Sequence, residues 1–233
     1  MRKKLLGIGL LGILFGVILG SVAAMPWWAE TWDKGQAVED RPYIGIYETS
    51  SLSQEEIDGL LYMREEEKLA RDVYLTLYEM YGLPVFQNIA QSEQTHTDAI
   101  LSLIEKYNLT DPAVDEVGVF TNPELQELYD QLIVQGSQSL EDALKVGALI
   151  EEVDIKDLEE WIAKTDNADI IQVYESLISG SESHLRAFTR TLSTYGVSYE
   201  PQVISEEQYQ EIVSSSMSRG QMGRGMKGFG GRR

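Results

Sequence analysis

The stretch FQNIAQSEQTHTDAILSLIEKY, residues Phe86–Tyr107, decides the predicted fold because its apolar helical pattern contains two ionisable residues. At about 100° per residue, one helical face collects its large apolar side chains. They are Phe86, Ile89, Ile100, Leu103, Ile104 and Tyr107. Glu93 and His96 fall in the middle of that face. Such groups are costly to bury unless they are paired or bind a metal, and positions i and i+3 can reach one ion.

Three further segments are predicted as long amphipathic helices: 53–81, 139–164 and 169–195. Ser53-Gln54-Glu55-Glu56 has the pattern of a capping box, and Gly82 and Gly196 are typical of helix ends. Each long helix places ionisable residues on its apolar face. The predicted inward set is Glu67, then Glu93 and His96, then Glu151 and Asp154, then His184. The same periodicity places Glu65, Asp72 and Glu152 on the solvent side.

The inward set predicts a metal site, because burying so many ionisable groups together is destabilising without a counter-charge. Carboxylate oxygens and neutral imidazole nitrogens suit iron or manganese, with zinc as a further candidate. An alternative is a buried network in which charged imidazoles pair with the carboxylates and no metal binds.

The predicted second and third long helices are separated by a long connection, residues 108–137. Within it, Asn122-Pro123-Glu124 is typical of a helix start, and Gly136 of a helix end. Antiparallel neighbours need only a few linking residues, so a connection of this length favours a crossover along a four-helix bundle. The sequence therefore predicts an all-α fold whose crossover contains a short helix.

Composition restricts the classes of function. The chain has 233 residues, a formal net charge of −19 and no cysteine. The absence of cysteine excludes disulfides, thiolate metal sites and a cysteine nucleophile. The negative charge argues against nucleic acid as a partner and suits metal cations. Oligomeric state stays open, a homodimer included.

The two ends of the chain differ in composition from its centre. Residues 1–24 combine Arg2, Lys3 and Lys4 with a long apolar run, which predicts either a cleaved signal peptide or an N-terminal membrane anchor. Both interpretations predict an exported, extracytoplasmic protein. Residues 25–51 are predicted as a linker, 52–213 as the helical domain, and 214–233 as a disordered Gly/Met/Arg tail.

Four segments carry a resemblance to a known superfamily: EEEKLARDVY at 65–74, SEQTH at 92–96, GALIEEVD at 147–154 and GSESHLRAF at 180–188. Together they resemble the ferritin-like superfamily, especially its rubrerythrin branch. Over 53–199 the closer resemblance is to a ferritin-like family known only as a domain of unknown function. The resemblance implies a ferritin-like four-helix bundle with a di-iron carboxylate centre, which oxidises Fe(II) or reacts with O₂ or peroxide. The implied metal ligands are Glu67, Glu93, His96, Glu151 and His184, with Asp154 as a further carboxylate.

Two departures from that pattern affect the expected chemistry. Ser181 stands where the superfamily has the glutamate of its second Glu-x-x-His, so one of two ion positions, the one near Glu151 and His184, is expected to be weaker and to depend on Asp154. The chain has no Cys-x-x-Cys, so no rubredoxin-like iron centre is expected. A non-catalytic metal-binding module and a purely structural helical bundle at the cell surface are the alternatives. Neither a catalytic residue nor a substrate is identified.

Overall fold

The computed structural model describes residues 52–222, and this part of the chain is all-α. It contains six helices and no strand: α1, Gln54–Tyr81; α2, Pro84–Lys106; α3, Pro123–Gly136; α4, Leu140–Ile162; α5, Ala168–Thr194; and α6, Glu206–Met222. The predicted all-α fold class is therefore confirmed. The predicted targeting segment, 1–24, and the predicted linker, 25–51, lie outside the described residues.

Local sequence signals determine where these helices begin and end. Ser53 caps α1 by accepting a hydrogen bond from the Glu56 amide at 3.2 Å, while the Glu56 side chain accepts one from the Ser53 amide at 2.7 Å. Gly82 ends α1 at a φ of 64°, a left-handed conformation that favours glycine. Asn122 caps α3, whose first residue is Pro123. Each of these ends satisfies backbone groups that a helix leaves unpaired.

The four long helices pack as antiparallel neighbours. Between α1 and α2, Arg64 contacts the Thr97 carbonyl and Arg71 contacts Gln94, so residue numbers rise along one helix as they fall along the other. The α4–α5, α1–α4 and α2–α5 contacts follow the same rule. As a result α2 and α4 stand at opposite corners and run in parallel. The chain between them, which contains α3, must therefore return along the length of the helices.

Apolar layers enclose the middle of this arrangement. On one side lies a cluster of buried side chains: Leu60, Met63, Ile100, Leu103, Ile104, Leu158, Ile170, Tyr174 and Leu177. On the other side the Phe188 ring packs between Tyr74 and Phe86, with ring centroids 5.1 and 5.7 Å away. The level between the two layers holds the inward ionisable residues, which are thereby kept from water.

Glu65 and Asp72, predicted to face solvent, are instead buried beneath the chain that connects α2 to α3. Glu65 accepts hydrogen bonds from the Thr121 amide at 2.6 Å and hydroxyl at 2.8 Å. Asp72 accepts from Lys68 at 2.6 Å and from the Gly118 amide at 2.9 Å. The helical pattern gave the wrong environment because it cannot show that a distant loop covers this face.

Glu152 is a third carboxylate predicted to face solvent that is buried. It accepts hydrogen bonds from the backbone amides of residues 202, 203 and 204, at 2.9, 2.8 and 3.0 Å, and from the Tyr199 hydroxyl. Charge-assisted bonds of this kind are roughly twice as strong as neutral ones. Glu152 therefore fixes the segment between α5 and α6 against α4.

The chain remains helical past the point at which the sequence predicts a disordered tail. Helix α6 extends to Met222, whereas the predicted tail begins at Ser214. The Ser205 hydroxyl accepts a hydrogen bond from the Gln208 amide at 3.2 Å, which starts the helix, and no proline follows to stop it. None of the helices within 52–222 has both the length and the apolar composition needed to cross a bilayer.

The Glu152→Gln variant should be less stable than the wild type by about 3 kcal/mol, because several buried amides would lose their charged acceptor. The measurement is urea-induced unfolding at neutral pH. Glu159→Gln, an exposed position on the same helix, is the control and should change stability by less than about 0.5 kcal/mol. Equal stability of the two variants would contradict the anchoring role of Glu152.

Candidate metal centre

The structure brings all six predicted ligand residues into the core at one level of the four long helices. The carboxylates of Glu67, Glu93 and Glu151 are fully buried, and Asp154 is 1% exposed. His96 and His184 are 8% and 7% exposed. They come from α1, α2, α4 and α5, so the site exists only when all four helices pack together.

Glu93 lies between the two imidazoles and contacts both. Its Oε2 is 2.8 Å from Nδ1 of His96, and its Oε1 is 2.7 Å from Nδ1 of His184. The two rings are stacked, with centroids 5.3 Å apart and an interplanar angle of 28°. One ligand atom from each of the three residues can be chosen so that all lie within 4.8 Å of one another. These three side chains are thus close enough to one another to hold a metal ion.

The remaining ligand candidates form one pair on each side of Glu93. Glu67 Oε2 lies 3.2 Å from Nδ1 of His96, and Glu151 Oε2 lies 3.3 Å from Nδ1 of His184. We call the first pair the His96 half-site and the second the His184 half-site. The arrangement around Glu93 is therefore nearly symmetric in its donor atoms, with one imidazole and one carboxylate on each side.

Several donor atoms of the site are at hydrogen-bond distance without the angles of a hydrogen bond. Both oxygens of Glu93, Nδ1 of His184, Oε1 of Glu67 and Oε2 of Glu151 have no hydrogen-bond partner although they are buried. Buried polar atoms normally have one. Buried donor atoms grouped in this way could act as the ligands of an ion.

Asp154 is the least satisfied residue of the group. Neither of its carboxylate oxygens has a hydrogen-bond partner, and the side chain is buried. Burial raises its pKa well above the usual value, and the nearby charges of Glu67 and Glu66 raise it further. A cation close by, or a proton, would stabilise Asp154.

The pKa values of the site describe its metal-free state. Burial opposes the charge on His96, but Glu67 and Glu93 outweigh it and raise the pKa to about 11. His184 behaves alike, with a pKa raised to about 10 by Glu151 and Glu93. Burial also disfavours the charge of Glu93, yet the two imidazoles lower its pKa to about 2. Without a metal, two positive imidazoles therefore stack on either side of one negative carboxylate.

Two neighbours of the site were not predicted from the sequence to act there. The Tyr74 hydroxyl donates to Oε1 of Glu151 at 2.6 Å. Ser92 Oγ lies 2.9 Å from Nε2 of His184, the ring nitrogen that faces away from Glu93. Tyr74 falls on the apolar face of α1 and Ser92 precedes Glu93, but neither position signals a polar role without the partner helix.

Ser181, the departure from the superfamily pattern, is buried on α5. Its hydroxyl donates to the Leu177 carbonyl of its own helix at 3.2 Å. The residue that faces His96 from α5 is Gly180: a Cβ at this position would lie 2.3 Å from Nε2 of His96. The absence of a side chain at Gly180 therefore determines how closely the His96 ring approaches α5.

The site has the composition of a centre for two divalent cations. Four buried carboxylates, those of Glu67, Glu93, Glu151 and Asp154, balance the charge of two such ions when both imidazoles are neutral. Oxygen and imidazole donors suit iron, manganese or zinc. Metal binding would require both imidazoles to lose a proton, so metal affinity would depend on pH.

The metal-free protein should lose stability as the pH rises above about 4.5. The pKa values of Glu67 and Glu151 rise from 4.5 to about 7 on folding, mainly through burial, so their contribution is lost between these values. The imidazole contribution is fully present below 6.5 and is lost as the pH passes about 10 to 11. Urea unfolding in chelator across this range measures the fall. A His96→Gln/His184→Gln double variant should lack the part of the fall near pH 10 to 11, and an unchanged fall there would contradict this assignment.

The Gly180→Ala variant should displace His96 and destabilise the metal-free protein by about 1 to 3 kcal/mol, because the added methyl overlaps the ring. At an uncrowded helix position the same change would stabilise by about 1 kcal/mol, so the sign of the effect is diagnostic. Ser179→Ala, at the exposed neighbouring position, is the control. Thermal unfolding compares the two, and a stabilised Gly180→Ala would show that the ring is not held against α5.

Comparisons with known proteins agree on the family. Residues 56–216 match the family model described as "Uncharacterized protein domain (DUF2202)". The chain is 58% identical over 179 residues to "Uncharacterized protein MJ0754" of Methanocaldococcus jannaschii, covering 76% of this chain and 97% of that protein. It is also similar to the crystal structure of hypothetical protein MJ0754 from Methanococcus jannaschii DSM 2661, with a TM-score of 0.70, 57% identity, and coverage of 73% of this chain and 98% of that one. This chain therefore belongs to the DUF2202 family of uncharacterized protein domains.

Proposed function

We propose that this protein is an exported, ferritin-like metalloprotein whose buried centre binds two iron ions, or iron and manganese, and oxidises Fe(II) or reacts with O₂ or peroxide. The observation that carries the proposal is the position of Glu93. Its two oxygens lie 2.8 and 2.7 Å from the Nδ1 atoms of His96 and His184, and all three side chains are buried in the core. A carboxylate that bridges two ions, each also bound by an imidazole, accounts for both facts.

The residues present fit such a centre. Glu67, His96 and one oxygen of Glu93 would hold one ion, and Glu151, His184 and the other oxygen of Glu93 would hold the second. Asp154, with two oxygens that lack partners, would add a carboxylate on the α1 side. Bound iron would supply one-electron chemistry that no side chain of this cysteine-free site offers.

The protein's own part would be to keep the site dry and its ligands fixed. The apolar layers above and below the site exclude water, which strengthens electrostatic interactions inside it. The hydrogen bond from Tyr74 holds Glu151 in one orientation. Only the imidazole edges reach toward the surface, between α2 and α5, where the half-buried Ser92 stands.

The helix arrangement supports the ferritin-like assignment. In ferritin-like folds, two helical hairpins are joined by one long crossover, and the metal ligands project inward from facing helices. Here α1–α2 and α4–α5 are the hairpins, and the chain between them carries α3. The export proposal rests on residues 1–24 alone, with their basic start and apolar run.

A second candidate is a non-catalytic protein at the cell surface, in which the same residues bind metal without turnover or only pair with one another. The distances between the imidazoles and the carboxylates support the paired network. Nδ1 of His96 and Nδ1 of His184 each lie within ion-pair range of two carboxylates. Such a network would require His96 and His184 to stay charged and would leave Asp154 without a partner.

Elemental analysis of protein purified without added metal is the first test, followed by O₂ consumption after Fe(II) is added. We expect bound iron or manganese and rapid O₂ uptake. Glu93→Gln should lower metal content and uptake at least 10-fold, because an amide cannot bridge two cations through two anionic oxygens. Glu105→Gln, an exposed glutamate on the same helix, is the control and should match the wild type.

The outcomes separate the candidates. Metal bound by the wild type without O₂ uptake would support the non-catalytic binding protein. Wild-type protein that binds no metal, even with excess Fe(II) under anaerobic conditions, would leave only the ion-pair network. Equal metal binding by Glu93→Gln and Glu105→Gln would refute the role assigned to Glu93.

A further inference from the structure

The two half-sites match in donor atoms but differ in the residues that support them. In the His184 half-site, both ligands have a hydrogen-bond partner outside the ligand set: Ser92 for His184 and Tyr74 for Glu151. In the His96 half-site, neither Glu67 nor His96 has such a partner among the described residues. Support of this kind orients ligands and commonly changes metal affinity 10- to 100-fold.

Ser92 determines which nitrogen of His184 can bind an ion. When Nε2 donates its hydrogen to Ser92 Oγ, at 2.9 Å, Nδ1 carries the lone pair and faces Glu93 and Glu151. The Ser92 side chain belongs to α2, on the same turn as Glu93, so one helix supplies both the bridging carboxylate and the group that orients the opposite imidazole. The contact with Ser92 thereby orients His184 so that Nδ1 is the nitrogen available to an ion once its proton has left.

Tyr74 gives Glu151 a similar constraint. Its hydroxyl donates to Oε1 at 2.6 Å, which leaves Oε2 directed to the space shared with His184. The Tyr74 ring is fully buried and packs against Phe188, so the hydroxyl has little freedom to move. Both ligands of the His184 half-site are thus held in position by side chains that the metal itself would not contact.

The His96 half-site has packing but no equivalent hydrogen bonds. Nε2 of His96 faces the backbone of α5 at Gly180 and has no hydrogen-bond partner within residues 52–222. Packing fixes the position of the ring but does not choose between its two neutral tautomers. Oε1 of Glu67 and both oxygens of the nearby Asp154 are without partners as well. An ion that binds here must order its own ligands, which lowers its affinity.

We propose that Ser92 and Tyr74 are positioning residues that make the His184 half-site the tight, resident ion position, and that the His96 half-site is the exchangeable position that takes up a divalent cation as substrate. This inference rests on the proposed function. It reverses the order expected from Ser181. The Ser181 hydroxyl donates to the Leu177 carbonyl of its own helix. The hydrogen bonds from Ser92 and Tyr74, which orient ligands, lie on the His184 side.

Titration of the metal-free protein with Co²⁺ tests the proposal, because the visible absorption of Co²⁺ reports its coordination independently of catalysis. The wild type should bind in two steps of unequal affinity. His184→Gln should remove the tighter step and His96→Gln the weaker one. Ser92→Ala and Tyr74→Phe should each weaken the tighter step about 10-fold or more and leave the weaker step within about 3-fold of the wild type.

Two controls separate positioning from a general loss of structure. Ser92→Thr keeps the hydroxyl and should restore the tighter step, whereas Ser102→Ala removes an exposed serine from the same helix and should change neither step. The unfolding midpoints of Ser92→Ala and Ser92→Thr without metal should lie close to that of the wild type, because Ser92 is only half-buried. If one ion only is bound, its loss in His184→Gln and not in His96→Gln would support the proposal.

Assignment of the tighter binding step to the His96 half-site would overturn the inference. Loss of the tighter step in His96→Gln, or an effect of Ser92→Ala confined to the weaker step, would place the resident ion on the other side while the proposed function stands. Two equal steps that Ser92→Ala leaves unchanged would refute the inference and leave the proposed function standing. A wild type that binds no Co²⁺, Fe²⁺ or Mn²⁺ would refute the proposed function and this inference together.

Discussion

The contact of one carboxylate, Glu93, with two stacked imidazoles is the constraint around which the helices are arranged. For Glu93 to meet His96 and His184 at 2.8 and 2.7 Å, α2 and α5 must be neighbours in a fixed register. The pairs Glu67–His96 and Glu151–His184 impose the same condition on α1 and α4. Apolar burial would tolerate a shift of one helix along another, but these polar contacts would not, because every shift leaves a buried charge without its counterpart.

Two groups of buried carboxylates serve different purposes in this fold. Glu65, Asp72 and Glu152 have their oxygens bound by backbone amides and side chains of the connecting segments. Glu93 and Asp154 have no hydrogen-bond partner at any carboxylate oxygen. A satisfied buried carboxylate attaches a loop to a helix. A buried carboxylate without such partners is unusual and is the kind of group found at functional sites.

The chain shares its fold with hypothetical protein MJ0754, with a TM-score of 0.70, and its family is described as an uncharacterized protein domain. The donor atoms on the two sides of Glu93 nearly match, whereas the hydrogen bonds from Ser92 and Tyr74 lie on the His184 side alone among the described residues.

The sequence by itself determined the all-α fold class, the ends of the long helices at Ser53 and Gly82, and the inward residues from Glu67 to His184, because helical periodicity and capping are local properties. It could not determine the burial of Glu65, Asp72 and Glu152, since a helical wheel contains no information about loops that return from elsewhere in the chain. Nor could it find Ser92 as the partner of His184, 92 residues away. Only tertiary structure decided how α2 and α5 face each other, and that packing determines which donor atoms meet, which stay unsatisfied and which half-site is the better supported.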